Sequence, residues 1–150
     1  DLEPPCNCGR IGDLESLCSL TAIQQTLLPL FLSRYPDHPL QGVEPATAAV
    51  RIRGLADGGD AMARDIFRVQ ARALGLFVDQ MVNVFDPDGF LIGGGALEAS
   101  PAFRDWFVAE VRSAMPAQRA EQVPRLEVMP DGDTAGARGA ALEAVRSFAS

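Results

Sequence analysis

Apolar residues recur along most of this chain at helical spacing, and the breaks fall at glycine, proline and aspartate clusters. The longest run is Met62, Ile66, Val69, Ala73, Phe77, Met81 and Phe85, stepping by three and four. It predicts a helix over about 61–85, capped by Asp60, with those residues inward. Leu74, Val78 and Val82 widen the stripe, so the helix is expected to be mostly buried. Asn83, a poor interior helix former, is expected near a frayed end or in a hydrogen bond. Leu14, Leu17, Leu27, Leu28, Phe31 and Leu32 predict helix over 13–34, capped by Asp13 and broken near Ser19 to Thr21. A short alanine-rich helix over 46–56 stops at Asp57-Gly58-Gly59. Ser100-Pro101 predicts a helix start, with Phe103, Trp106, Phe107 and Val111 buried over 101–114. A last helix over 136–148 is expected to turn Ala141, Leu142, Val145 and Phe148 inward.

Two segments read as strands: Phe90-Leu91-Ile92, after the turn Asp86-Pro87-Asp88-Gly89, and Val123 to Met129, with Leu126 and Val128 on one side. Strands alternating with helices imply an α/β fold with a parallel sheet. Two strands are fewer than an independent sheet needs, so the chain reads as part of a larger lobe.

Composition narrows the classes. The 150 residues are 47% hydrophobic and 22% charged, which fits one globular domain. A net charge of −7 argues against a general nucleic-acid or anionic-membrane surface. No apolar run reaches the length of a spanning helix. The three cysteines, Cys6, Cys8 and Cys18, suit a reducing compartment better than a disulfide framework, so a cytoplasmic protein is expected. His38, the one histidine, lies in a proline-rich loop and is expected to be solvated.

Candidate chemistry gathers at two places. Gly93-Gly94-Gly95 ends the first strand abruptly. Such a turn lets backbone N–H groups approach a phosphate or nucleoside, although a plain chain reversal reads the same way. In Cys6-Asn7-Cys8-Gly9-Arg10-Ile11-Gly12-Asp13, two thiols can reach one metal ion and Asp13 can add a third ligand. Unliganded cysteines are the other reading. Glu15 sits in a first helical turn, where it either complements the helix dipole or accepts hydrogen bonds from a ligand. There is no Walker-type loop, no third glycine of a dinucleotide fingerprint and no Gly-x-Ser-x-Gly elbow. Asp131-Gly132-Asp133-Thr134 lacks the setting of a phosphate loop.

Taken together, three stretches resemble the repressor/open-reading-frame/kinase (ROK) family of sugar kinases and sugar-responsive regulators. They are Cys6 to Glu15, against the family's Cys-x-Cys-Gly-x-x-Gly-Cys-x-Glu; Gly59-Asp60 through Asn83-Val84-Phe85-Asp86-Pro87 to Gly93-Gly94-Gly95; and Ala135-Gly136-Ala137-Arg138-Gly139-Ala140-Ala141. The resemblance implies that residues 1–150 are a helix-rich C-terminal part of an actin-like ATPase (ribonuclease H-like) lobe. It implies ATP with Mg as cofactor, Gly93, Gly94 and Gly95 at the nucleotide, and Glu15 on sugar hydroxyls. It also implies a structural zinc on the cysteine loop, with Cys6, Cys8 and Asp13 as ligands. Asp13 stands where the family has a cysteine, and the family's zinc histidine would lie upstream of Asp1, so either Asp13 serves as an oxygen ligand or the site has decayed. The general-base aspartate would also lie upstream, so these residues alone are expected not to phosphorylate sugar. The expected parent is a hexose or amino-sugar kinase, glucokinase-like. The alternative is the effector-binding half of a transcription regulator. Expected partners are sugar, ATP, and either another copy or the missing N-terminal half, with no nucleic acid or membrane contact by this part.

Overall fold

Capping side chains set most of the element boundaries in the computed structural model, which describes residues 3–116, 125–129 and 132–148. Helix α1 is the short Glu15–Cys18. Ser19 then turns extended, and its hydroxyl accepts from the Ala22 N–H at 3.0 Å, starting α2, Leu20–Ala22. The helical path continues through a π segment, Ile23–Leu27, into α3, Leu28–Arg34. The expected break is therefore present, but Ser19 rather than Thr21 caps it. Asp13 does not cap α1 with its side chain, which is drawn instead toward Cys8 and Arg10.

Helix α4, Pro45–Asp57, starts with Pro45 in its first turn and the Glu44 carboxylate on the N–H groups of Ala46 and Thr47 at 3.0 and 2.8 Å. Those bonds hold the Glu44 carboxyl below its usual range. Helix α5, Ala61–Phe85, is capped by Asp60 on Ala63 N–H at 2.8 Å and ends at Asp86, whose φ of 44° is left-handed. Strand β1 is Gly89–Ile92, followed by a tight 3₁₀ turn, Gly95–Leu97. Helix α6, Pro101–Ser113, is capped by Ser100. Strand β2 is Arg125–Val128 and α7 is Gly132–Phe148. Val123, Pro124 and Asp131, expected in the second strand and the following loop, lie outside the described residues.

β1 and β2 pair in parallel, Gly89 opposite Arg125 and Ile92 opposite Val128. Among the described residues the sheet has these two strands, joined across α6. Phe90 and Ile92 face the core, where Leu126 is buried, while Leu91 is exposed.

The core forms where α5 packs against α6, α4 and the helical run before it. Phe67 meets Phe103 and Phe107 edge-on, with ring centres 5.1 and 6.3 Å apart. Gly75 admits the close α5–α6 crossing, because a Cβ there would stand 2.5 Å from the Val111 carbonyl oxygen. Trp106 is half-buried under the guanidinium groups of Arg64 and Arg68, 5.1 and 5.7 Å from its ring centre.

Three burial expectations are corrected. The buried face of α5 runs through Met62, Ala63, Ile66, Phe67, Gln70, Ala71, Gly75, Val78 and Val82; Val69, Ala73, Phe77 and Met81 flank it, and Phe85 is exposed. The last turn of α5 runs past its neighbours. In α7, Leu142, Val145 and Phe148 are 72%, 69% and 93% exposed and Ala141 is exposed too; the helix starts against the turn after β1, where Gly132 meets Gly94. His38 is buried rather than solvated: Leu40 N–H donates to its Nδ1 at 3.2 Å, which leaves Nε2 to donate to Asp60, 3.2 and 3.3 Å away. The pair ties the 35–42 loop to the start of α5. Asn83 does find a partner, donating to the Asp79 carbonyl at 2.9 Å.

Candidate functional site

The cysteine loop folds back on the start of α1. Cys6 N–H donates to the Arg10 carbonyl and Gly12 N–H to that of Pro4, at 2.8 and 3.0 Å. Gly9 and Gly12, with φ of 87° and 78°, make the reversal. This brings Cys8 Sγ to 2.9 Å from Asp13 Oδ2, and Cys6 Sγ to 3.4 Å from Glu15 Oε2. Arg10 Nε donates to the same Asp13 oxygen at 3.1 Å. One ligand atom each from Cys6, Cys8 and Asp13 lies within 4.8 Å of the others, so the three can reach one ion. Two thiolates and a carboxylate suit zinc.

The electrostatics follow from that crowding. The Cys8 thiol, then Cys6 and the Arg10 guanidinium, hold the Asp13 carboxyl below its usual range against the cost of burial. The Cys8 N–H favours the Cys6 thiolate. The Cys8 sulfur, burial and the two carboxylates outweigh it and push the Cys6 thiol up to about 11. Glu15 and the loop border a hollow of about 710 Å³ whose far wall is Ala73, Leu76 and Phe77 of α5. Glu15 is exposed there.

The second place is the turn after β1. Gly94, with φ 125° and ψ 155°, is the one member of the described triplet with a positive φ; a side chain would find space there but not an allowed backbone. Gly93, Gly94 and Gly95 line a hollow of about 460 Å³ with Ile23, Ala49 and Phe67 on its apolar side. Cys18 lines it too; burial pushes that thiol up to about 11, and its Sγ lies 3.7 Å from the Gln70 carbonyl. Gln70, itself buried, returns a bond to the Leu17 carbonyl at 3.1 Å, so α1 is fastened to α5 at its end.

Helix α1 therefore joins the two places. Glu15 at its first residue borders the cysteine loop, and Cys18 at its last borders the glycine hollow. At the α-helical rise these positions are roughly 4.5 Å apart along the axis.

Sequence reasoning passes over three residues here. Arg53 Nη1 donates to the Gly95 carbonyl, and Arg53 is the only charged side chain among the described residues lining the hollow. Asp57 accepts from Ser100 N–H at 3.0 Å and from its hydroxyl at 2.5 Å, bonds that hold its carboxyl below the usual range. Arg104 Nε donates to the Leu97 carbonyl at 3.0 Å. Arg53 and Asp57 stand one helical turn apart on α4, but no local pattern ties either to the glycines some forty residues on.

A metal-type ligand cluster, a helix-start carboxylate and a glycine turn follow one another in this order on the fold. The sequence matches the ROK family over residues 1–146, and the chain belongs to that family. It is 31% identical over 138 residues to the N-acetyl-D-glucosamine kinase of Escherichia coli O6:H1 (strain CFT073), covering 91% of this chain and 40% of that protein. It is 32% identical over 95 residues to the DNA-binding transcriptional dual regulator NagC of Escherichia coli (strain K12), covering 63% of this chain and 22% of that one. Among solved structures, the ROK hexokinase from Thermus thermophilus superposes with a TM-score of 0.63 at 28% identity, over 93% of this chain and 44% of that one. A ROK family glucokinase from Streptomyces griseus, solved with glucose and AMPPNP, superposes with a TM-score of 0.68 at 24% identity, over 87% and 44%. The chain thus spans less than half the length of each of these relatives. Among the described residues no helix is long and apolar enough to cross a membrane.

Proposed function

We propose that residues 1–150 are the C-terminal part of an ATP-dependent kinase for a hexose or amino sugar, in an actin-like lobe that works against an upstream lobe. The observation that carries this reading is the placement of Glu15 and the glycine hollow at the two ends of α1. A phosphoryl acceptor and its donor must approach within bonding reach, and one helical turn is a suitable separation for groups that touch their outer parts.

Glu15 accepts hydrogen bonds from sugar hydroxyls, a charge-assisted contact that orients a neutral substrate. Gly93, Gly94 and Gly95 let the nucleotide lie against the backbone, with the apolar wall of Ile23, Ala49 and Phe67 beside it. Bound with ATP, magnesium would supply neutralising charge to the phosphates. The general base belongs to the upstream part of the polypeptide. Zinc on Cys6, Cys8 and Asp13 would brace the loop at the start of α1, and the Cys6 thiol would give up its proton, and with it the bond to Glu15, on binding the ion. The kinase relative and the hexokinase neighbour support the phosphotransferase reading.

The likeness to NagC favours one second reading, the effector half of a sugar-responsive regulator. An ADP-release assay on the full-length polypeptide, run with hexoses and N-acetylated amino sugars, separates the two. The kinase reading expects sugar-dependent ADP release. Sugar binding with no response to ATP would replace it with the regulator.

A further inference from the structure

We infer that Arg53 and Asp57 are positioning residues that hold the triple-glycine turn from helix α4, so that nucleotide affinity is set partly by a helix outside the glycine motif. The inference rests on the reading of the glycine hollow as the nucleotide site.

Locally the turn is closed by backbone bonds alone, Leu97 N–H to the Gly94 carbonyl at 3.0 Å and Glu98 N–H to the Gly95 carbonyl at 3.3 Å. Gly94 occupies a backbone region that glycine alone visits freely, and an unrestrained glycine segment loses much conformational entropy on ordering. The segment following it is also fastened from outside, at separate points. Arg53 reaches the Gly95 carbonyl from α4. One turn further along that helix, Asp57 takes both the N–H and the hydroxyl of Ser100. Ser100 in turn caps α6 through Phe103 N–H at 3.2 Å. From α6, Arg104 holds the Leu97 carbonyl. Residues 95–100 are therefore spanned by charge-assisted bonds to two helices, and both α4 contacts bridge more than forty residues of sequence.

Arg53 differs from a surface anchor in where it lies. It lines the hollow itself, in a wall otherwise made of apolar side chains, glycine and Cys18. A guanidinium carries five N–H donors, and one is committed to Gly95. In a chain of net charge −7 this cation offsets the field that an anionic ligand meets on entry. Ordering the turn before the ligand arrives removes that cost from binding.

The test is calorimetric titration of the full-length polypeptide with a non-hydrolysable ATP analogue and, separately, with sugar, well below the melting temperature. For Arg53→Ala, nucleotide affinity is expected to fall about tenfold, the loss of one charge-assisted hydrogen bond, with sugar affinity unchanged. Arg53→Lys, which keeps a donor, is expected to recover part of the loss. Asp57→Asn is expected to weaken nucleotide binding in the same direction. Arg51→Ala, an exposed arginine on the same helix, is expected to change neither affinity. Wild-type nucleotide affinity retained in Arg53→Ala would overturn the inference and leave the site reading standing. An equal loss of nucleotide and sugar affinity would also overturn it, marking a general loss of structure. A wild-type polypeptide that binds sugar but no nucleotide would overturn the site reading, and the inference with it.

Discussion

Gly132, the first residue of α7, lies against Gly94: a Cβ at position 132 would stand 2.6 Å from the Gly94 amide nitrogen. The last helix therefore begins in contact with the turn that the candidate nucleotide hollow depends on. Gly132→Ala must displace one of the two. Helix α7 is exposed from residue 136 to its end, whereas the segment after Gly94 is held by Arg53 and Arg104. The helix is expected to yield. Hydrogen exchange should rise across the first turns of α7 and stay unchanged across residues 93–100. The opposite pattern would show that the turn is the weaker partner.

Gly75 is the tightest point of the core crossing. A Cβ there would lie 2.5 Å from the Val111 carbonyl oxygen and 2.9 Å from Ala114 Cβ, so backbone as well as side chain must move. Gly75→Ala is expected to destabilise by about 1–3 kcal/mol, despite alanine's better helix propensity. Chemical denaturation of the two proteins checks this. Equal or greater stability in the variant would mean that α5 and α6 are not so closely apposed.

These two glycines bear on what the sequence discloses. Boundaries are legible where a local side chain sets them: Asp60 before α5, Ser100-Pro101 before α6, and the break before α2 all follow from capping chemistry within a few residues. The parallel pairing of β1 and β2 is likewise legible from strand–helix–strand order. Contacts made at long range are not. An amphipathic period marks a face, but it does not say where the neighbouring element ends, which is why Phe85 and the apolar residues of α7 are exposed. Gly75 was a readable sign, a lone glycine inside a helical pattern. His38 on Asp60 and Arg53 on Gly95 depend on loops and helices meeting across tens of residues, and no local pattern announces them. In the candidate site, the cluster of Cys6, Cys8 and Asp13 is local enough to be read, while the anchors of the glycine turn are not.

Asp57 gives a pH dependence with a fixed sign. Its bonds to Ser100 hold the carboxyl below the ordinary value of 3.8, so the folded state favours the ionised form. The stabilisation is fully present above that ordinary value and is lost as the pH falls through the lower folded-state value. The stability difference between wild type and Asp57→Asn is expected to be constant from about pH 7 to about pH 5 and to shrink below about pH 4. Denaturation curves across that range measure it. A difference that grows on acidification would contradict the assignment.

The metal-type cluster is testable without activity. The full-length polypeptide is expected to retain zinc through gel filtration, and Cys8→Ala or Asp13→Ala to weaken binding by more than about tenfold in competition with a chromophoric chelator. Arg10 shares the Asp13 carboxylate, so Arg10→Ala is expected to tighten zinc. Zinc affinity that ignores all three substitutions would place any bound metal elsewhere.

The most direct measurement is a crystal structure of the full-length polypeptide with both sugar and a non-hydrolysable ATP analogue bound. Sugar hydroxyl oxygens are expected about 3 Å from the Glu15 carboxylate, with the nucleotide against Gly93, Gly94 and Gly95 at the other end of α1. A nucleotide seated away from the glycine turn, or a sugar that leaves Glu15 untouched, would contradict the proposed site.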